Sequence, residues 1–146
     1  MQDFKPHCMK RGQPVAPRVF KPQQGVVIFA KNKKRVSAFY QATLDLRAVE
    51  SEASHDLLHG DSYEIVVHAI PRKIAATIKI AKPPSPRMQA VFKPTFVVRS
   101  LDRVREAAAK TGGVLKPAAE AWHFRGCAVI DGTDPEGNQV QFKERT

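Results

Sequence analysis

Gly25-Val-Val-Ile-Phe-Ala30 and Lys93-Pro-Thr-Phe-Val-Val98 are two short apolar stretches that begin two copies of one structural unit. Each is followed by a residue suited to capping a helix, Asn32 in the first copy and Ser100 in the second. Each cap precedes a segment with one apolar stripe at helical spacing, residues 33–44 and 101–111. A repeat of this kind predicts a pseudo-twofold architecture with a shared cleft.

Each copy also ends in a turn and a strand. Gly60-Asp61-Ser62 leads into a strand at residues 63–68, and Asp134-Pro135-Glu136-Gly137-Asn138 leads into a strand at residues 139–143. Proline and glycine occupy the positions of the second turn that favour them. Gly112-Gly113 ends the second helix. The pattern predicts further strands at residues 46–52, 54–59 and 114–117, and one longer strand at 122–130.

The chain divides into four segments, and the pattern predicts an α+β fold. Residues 1–24 form a basic arm that contains proline, 25–70 a first module, 71–89 a connector and 90–146 a second module. The apolar stretch at 74–80 fits either a short helix or a strand, and the prolines after it hold the chain extended.

Charge and composition narrow the function classes. The net charge is +10, and residues 1–24 supply five Lys or Arg residues against one Asp. The other basic residues form no stripe interleaved with aromatics, so nucleic-acid binding is not favoured. No apolar run approaches the roughly 20 residues of a membrane helix. Cys8 and Cys127 lie far apart, which indicates free thiols and a cytoplasmic protein.

Three motifs give the chain a family resemblance. They are Ala38-Phe39-Tyr40 with Leu44, Lys110-Thr-Gly-Gly113, and the segment from Asp131 to Phe142 that contains Asp-Pro-Glu-Gly-Asn. In these residues the chain resembles the vicinal oxygen chelate superfamily, which includes glyoxalase I, bleomycin-resistance proteins, fosfomycin-resistance proteins and extradiol dioxygenases. The resemblance implies two βαβββ modules in tandem. Their sheets would form a curled mixed sheet around a cleft, with the helices on the outer face.

The resemblance also locates a metal site, and the residues found there are poor ligands. The four positions implied are Gly25, Glu64, Lys93 and Gln141. Glycine has no side chain, a lysine ammonium repels a divalent cation, and an amide oxygen is a weak ligand beside a carboxylate. The sequence therefore predicts no metal and no cofactor. Glu64 remains the best candidate for an acid or base.

Strand alternation assigns side chains to faces of the sheets. Glu64 and His68 share the cleft face, as do Lys93 in its strand and Gln141 in the last strand. The intervening residues are apolar and face the helices. An ion pair between Lys93 and Glu64 is expected, because opposite charges in a partly desolvated cleft are costly when unpaired.

The remaining candidates each have a structural alternative. A two-residue turn at Gly60-Asp61 would place Leu57 opposite Glu64 and His55 opposite Val66, so Glu64, His55 and His68 are a fallback metal site. Trp122 is either a core residue or a platform for a flat ligand. Arg125 is either an anion clamp or a surface residue, and Cys127 is expected to be buried.

Three functional hypotheses follow. The first is a metal-free binding protein of the bleomycin-resistance kind, a homodimer that holds a small molecule through Glu64, Lys93, Gln141, His68, Trp122 and Arg125. The second is a metal-dependent lyase, isomerase or dioxygenase of the same superfamily with non-standard ligands. The third is a binder of nucleic acid or another anionic partner, driven by net charge.

Overall fold

A computed structural model describes residues 24–146 and contains nine strands and three helices in that range. The helices are α1 (Lys33–Leu44), α2 (Arg72–Ala75) and α3 (Leu101–Thr111). The strands are β1 (Gln24–Ala30), β2 (Arg47–Ser51), β3 (His55–His59), β4 (Tyr63–Ala69), β5 (Thr95–Val98), β6 (Val114–Leu115), β7 (Trp122–Phe124), β8 (Cys127–Thr133) and β9 (Gln139–Arg145). A 3-10 turn, Ala118–Glu120, lies between β6 and β7.

The strands form two sheets of matching topology. The first has the order β1-β4-β3-β2, and the second has the order β5-β9-β8-β6, with β7 also paired to β8. In each sheet the strand before the long helix lies parallel to the last strand of the module, and the other pairs are antiparallel. The predicted α+β fold of two βαβββ modules is confirmed.

Both long helices begin at the capping residues that the sequence predicted, and α3 also ends at its predicted glycine. The side chain of Asn32 accepts a hydrogen bond from the Arg35 amide at 3.0 Å, and Ser100 accepts one from the Arg103 amide at 3.3 Å. Gly112 ends α3 with a φ of 88°. The helix α1 ends at Asp45, whose φ of 53° the sequence did not indicate.

One hydrophobic core joins the two modules, and the Asp-Pro-Glu-Gly-Asn turn lies against it. The two carboxylate oxygens of Glu136 accept hydrogen bonds from the backbone amides of Lys31 (2.9 Å) and Asn32 (2.6 Å). The buried Tyr40 hydroxyl donates to Asp134 at 3.2 Å. Burial, and then the Asp134 carboxylate, raises the pKa of Tyr40, so its phenol remains a donor. The turn of the second module therefore holds the start of α1 in the first.

One predicted strand was wrong, and of the two alternatives for the connector the structure has a short helix, which includes only the start of the apolar stretch. Residues 122–130 are not one strand, because β7 and β8 form a hairpin around Arg125 and Gly126, whose φ angles are 50° and 71°. Such positive values suit a two-residue hairpin turn, but arginine seldom adopts them. In the connector, a single helical turn, α2, precedes a chain without a strand until Thr95.

The expectations for residues 1–23, including His7, Cys8 and the extended basic arm, lie outside the described residues. Within the described part of the chain, no helix has the length and apolar character that would take it across a bilayer.

Candidate functional site

Each sheet turns one face to the helices and an inner face away from them. Ile65 and Val67 of β4 are fully buried. Glu64, Val66 and His68 alternate with them and are partly exposed on the inner face. In β9, Val140 and Phe142 are buried, and Gln139, Gln141 and Lys143 alternate with them. The predicted assignment of side chains to faces is confirmed, because period-two alternation depends only on local geometry.

A cleft of about 620 Å³ separates the two modules, and we call it the inter-module cleft. It lies between β1, with the start of β4, and β5, which belong to separate sheets. Glu64 and Gly25 line one wall, and Thr95 and Val97 line the other. A Cβ atom on Gly25 would lie 3.4 Å from Cγ of Glu64, so the Glu64 side chain lies across the space above this glycine.

Lys93 does not pair with Glu64, and the predicted ion pair was wrong. The Lys93 ammonium contacts both oxygens of Asp131 on β8, at 2.9 and 3.1 Å. The Gln141 amide donates to Asp131 at 3.1 Å, and its carbonyl oxygen accepts from the Thr95 hydroxyl at 3.2 Å. These four residues form one polar chain across the inner face of the second sheet.

We expect the Lys93–Asp131 pair to contribute modestly to stability. Both side chains are partly exposed, so water screens the interaction and the coupling energy should be about 0.5–1 kcal/mol. The measurement is a double-mutant cycle with Lys93→Met and Asp131→Asn, followed by denaturant unfolding. The pair Lys93→Met and Glu64→Gln is the control and should be additive. Additive effects of the Lys93 and Asp131 substitutions would contradict the expectation.

The strand registers change one of the four implied ligand positions. Gly25 and Lys93 each lie eight residues before the first residue of the following helix, so they are equivalent. Gly25 pairs with Glu64, but Thr95, two residues after Lys93, pairs with Gln141. The first-module residue that corresponds to Gln141 is therefore Val66, and Glu64 lies two residues earlier in its strand.

The residues at these positions do not fit a divalent metal ion. Gly25 and Val66 offer no ligand atom, Lys93 is a cation, and the Gln141 oxygen already accepts a hydrogen bond. In residues 24–146, no group of three His, Cys, Asp or Glu side chains is placed to hold a metal.

The fallback site of Glu64, His55 and His68 is also not formed, because the predicted register was off by two residues. His55 lies opposite His68, Leu57 opposite Val66, and His59 opposite Glu64. The His55 ring instead pairs with Glu50 at 2.8 Å and stacks on His68, with ring centroids 6.4 Å apart. The connection between β3 and β4 is longer than the assumed two-residue turn.

Aromatic side chains occupy the far part of the second inner face. Trp122 and Phe124 are 39% and 53% exposed, so the core alternative for Trp122 was wrong. The Arg125 guanidinium lies 5.7 Å and the Lys143 ammonium 5.5 Å from the centroid of the Phe124 ring. Cys127 is only half-buried. Sequence analysis overlooked Phe124, although it lies two residues after Trp122 in the same strand and therefore on the same face.

A larger groove, of about 840 Å³, lies between the end of α1, the β3–β4 connection and α3. It contains none of the predicted site residues. Its charged lining residues carry both signs: Asp45, Arg47, Asp61, Arg99, Arg103, Glu106 and Lys110. We regard the inter-module cleft as the candidate site, because it brings the inner faces of both modules together.

Comparison with known proteins supports the fold assignment. The chain is similar to a glyoxalase/bleomycin resistance protein/dioxygenase family enzyme from Burkholderia phytofirmans PsJN, with 18% identity over 84% of this chain and 98% of that one and a TM-score of 0.61. For the fosfomycin resistance protein FosX from Mesorhizobium loti, the identity is 11% over 88% and 94%, with a TM-score of 0.59. For a glyoxalase family protein from Enterococcus faecalis, it is 20% over 86% and 98%, with a TM-score of 0.58. No protein-family profile and no curated protein sequence matches the chain.

The two βαβββ modules, their sheet order and these similarities define the fold of the vicinal oxygen chelate superfamily. The fold that the sequence motifs predicted is thus confirmed.

Proposed function

We propose that the protein binds a small molecule in the inter-module cleft without a metal ion, in the manner of glyoxalase/bleomycin-resistance-type proteins. The observation that carries the proposal is the hydrogen-bonded chain formed by Lys93, Asp131, Gln141 and Thr95. In this chain, Lys93 and Gln141, which stand at two of the implied metal-ligand positions, both donate hydrogen bonds to Asp131. The cleft volume lies within the range of about 300–1,000 Å³ typical of ligand sites.

Metal content tests this proposal directly. Protein purified without chelators should contain far less than one Zn, Ni, Fe or Mn per chain by elemental analysis. Its thermal unfolding midpoint should be the same with and without EDTA, because a bound metal would stabilise the folded state by mass action. About one metal ion per chain, lost together with stability in EDTA, would favour the metal-dependent lyase, isomerase or dioxygenase instead.

We propose further that the chain forms a homodimer. Val27 and Phe29 of β1 are exposed on the first inner face, and Met88, Val91 and Phe92 before β5 are 85–89% exposed. Apolar side chains grouped in this way usually mark an interface, and cyclic dimers are the commonest assembly. A second copy would remove both groups from water.

Sedimentation tests the assembly. The protein should sediment as a dimer at micromolar concentration, and Val91→Ser with Phe92→Ser should shift it toward the 16.2 kDa monomer. Ile74→Ser makes the same kind of apolar-to-polar change at the exposed Ile74 of α2, so it is the control and should leave the dimer intact. A wild-type protein that sediments as a monomer would refute the proposal.

The charge distribution favours binding of an anionic partner as a second candidate function. Residues 65–101 contain no Asp or Glu and seven Lys or Arg residues, all of them exposed. Within the described part of the chain, Lys93 is the member of this set that forms an ion pair. The positive charge that has no acidic residue nearby in the sequence is therefore concentrated along the connector.

The test for this candidate is the salt dependence of binding to random duplex DNA and to heparin. Replacing Lys79, Lys82 and Arg87 with Gln should weaken binding and flatten its dependence on salt, because each phosphate contact releases counterions. Replacing Lys110, Lys116 and Arg145 of the second module removes the same charge and is the control. Equal losses from both triple variants would indicate a general charge effect without a site.

A further inference from the structure

Glu64 is the charged residue that lines the inter-module cleft, and its carboxylate has no partner among the described residues. The other lining residues of this cleft are uncharged. Within residues 24–146, Glu64 forms no side-chain hydrogen bond and no ion pair, whereas Lys93 is held by Asp131. The negative charge of the cleft is thus free for a ligand, and the neighbouring positive charge is already neutralised.

The lining around Glu64 is mixed, because the polar residues Gln24, Ser62 and Thr95 stand beside an apolar part that contains two aromatic rings. The rings of Tyr63 and Phe96 lie in the lining with their centroids 5.5 Å apart, and Val26 and Val97 complete this part of the wall. Burial, and then the carboxylates of Asp45 and Asp61, raises the pKa of Tyr63, so its ring carries no charge that would oppose Glu64. Aromatic faces attract cations, and a partly desolvated carboxylate gains most from a charged donor.

We infer that the inter-module cleft selects an organic cation, a protonated amine or guanidinium on a flat or aliphatic body, with Glu64 as its counter-ion. This inference rests on the proposed function and adds the chemical class of the ligand. The ammonium would donate to the Glu64 carboxylate, whose side chain lies over Gly25 at the edge of the cleft. The apolar body would lie against Val97 and the partly exposed ring of Tyr63, because Phe96 is only 8% exposed and belongs to the core.

The test uses three probes of one shape and different charge: 1-naphthylmethylamine, 1-naphthylmethanol and 1-naphthoate. Their dissociation constants are measured by calorimetry on the full chain at pH 7. The amine should bind about tenfold or more tightly than the alcohol, as a charge-assisted hydrogen bond predicts, and the naphthoate should bind most weakly. Glu64→Gln should abolish the preference for the amine and leave the affinity for the alcohol unchanged.

Glu106→Gln is the matched control, because it removes the same charge from the larger groove and should preserve the preference. An unchanged affinity for the alcohol also shows that Glu64→Gln remains folded. Tighter binding of the alcohol or the naphthoate, or a preference for the amine that survives in Glu64→Gln, would overturn the inference and leave the proposed function standing. Failure of all three probes to bind would count against both.

Discussion

Asp56→Ala should lower the free energy of unfolding by about 3 kcal/mol at neutral pH, because it removes a buried carboxylate that accepts three hydrogen bonds, one of them from the partly buried Lys33. Asp56 lies on the helix side of β3 and is only 6% exposed. Its carboxylate accepts hydrogen bonds from the Lys33 ammonium, from the Ser37 hydroxyl at 2.5 Å and from the Ser51 hydroxyl at 2.6 Å. The alanine variant leaves three donors without their acceptor and loosens the first turn of α1 from the sheet.

The loss should depend on pH in one direction. Burial by itself raises the pKa of Asp56, but the hydrogen bonds from Lys33, Ser37 and Ser51 outweigh it, and the net pKa is lowered. A carboxyl group of this kind contributes stability above its unfolded pKa of about 3.9, and the contribution disappears as the pH falls through the folded value. The difference between wild type and Asp56→Ala should therefore be full at pH 6–7 and shrink below about pH 4.

Denaturant unfolding at several pH values measures this difference. Glu52→Ala is the control, because Glu52 is an exposed carboxylate in the turn before β3, and its loss should change stability by at most about 0.5 kcal/mol. A difference for Asp56→Ala that stays constant from pH 7 to pH 3, or a loss no larger than that of Glu52→Ala, would contradict a buried, charged role for this residue.

Local signals were sufficient to predict most of the fold. The limits of α1 and α3, both side-chain caps and the inner faces of β4, β5 and β9 all follow from residues close together in sequence. A helix cap needs only a side-chain acceptor three residues before the amide that it satisfies. The face on which a strand residue lies follows from simple alternation along the strand. The internal repeat, together with the family resemblance, added the pairing of the modules, which no local signal contains.

The candidate site was harder to predict because it depends on register and on partners distant in sequence. Glu64 was correctly placed on the cleft face, but the partner of Lys93 lies 38 residues away on β8. The register of β3 against β4 was displaced because the length of the connecting loop was misjudged. When the register shifts by two residues, each side chain stays on the same face of the sheet, but the residue opposite it changes. The shared face of Glu64 and His55 was therefore right, and the proposed triad of Glu64, His55 and His68 was wrong.

Buried acids were also overlooked, for a related reason. Asp56 alternates with His55 and Leu57 in β3, and this position is on the helix side, where an apolar residue is expected. Its partners come from α1 and β2. Glu136 likewise bonds to the amides that precede α1, more than 100 residues away in the chain. A charge is tolerated in a core only where such partners converge, and a single strand does not reveal them.

Gly113→Ala should destabilise the fold by about 2–3 kcal/mol, because the two modules meet too closely at this point for a side chain. A Cβ atom on Gly113 would lie inside contact distance of Phe39 Cε2 and 2.8 Å from the Thr133 carbonyl oxygen. Phe39 is fully buried on α1, and the carbonyl belongs to β8, so neither can move without shifting an element. The glycine thus serves to let α1 of the first module approach the second.

Denaturant unfolding of a double-mutant cycle separates this clash from a general effect of the substitution. In a Phe39→Leu background the ring edge is absent, so Gly113→Ala should cost at least about 1 kcal/mol less than it does in the wild type. Gly25→Ala is the control, because the nearest atom to its new Cβ is Glu64 Cγ at an ordinary 3.4 Å, and stability should change little. Equal costs in both backgrounds would show that the Phe39 contact does not set the distance between the modules. The Thr133 carbonyl would then be the remaining cause, and a residue larger than glycine at position 113 would be excluded by β8 alone.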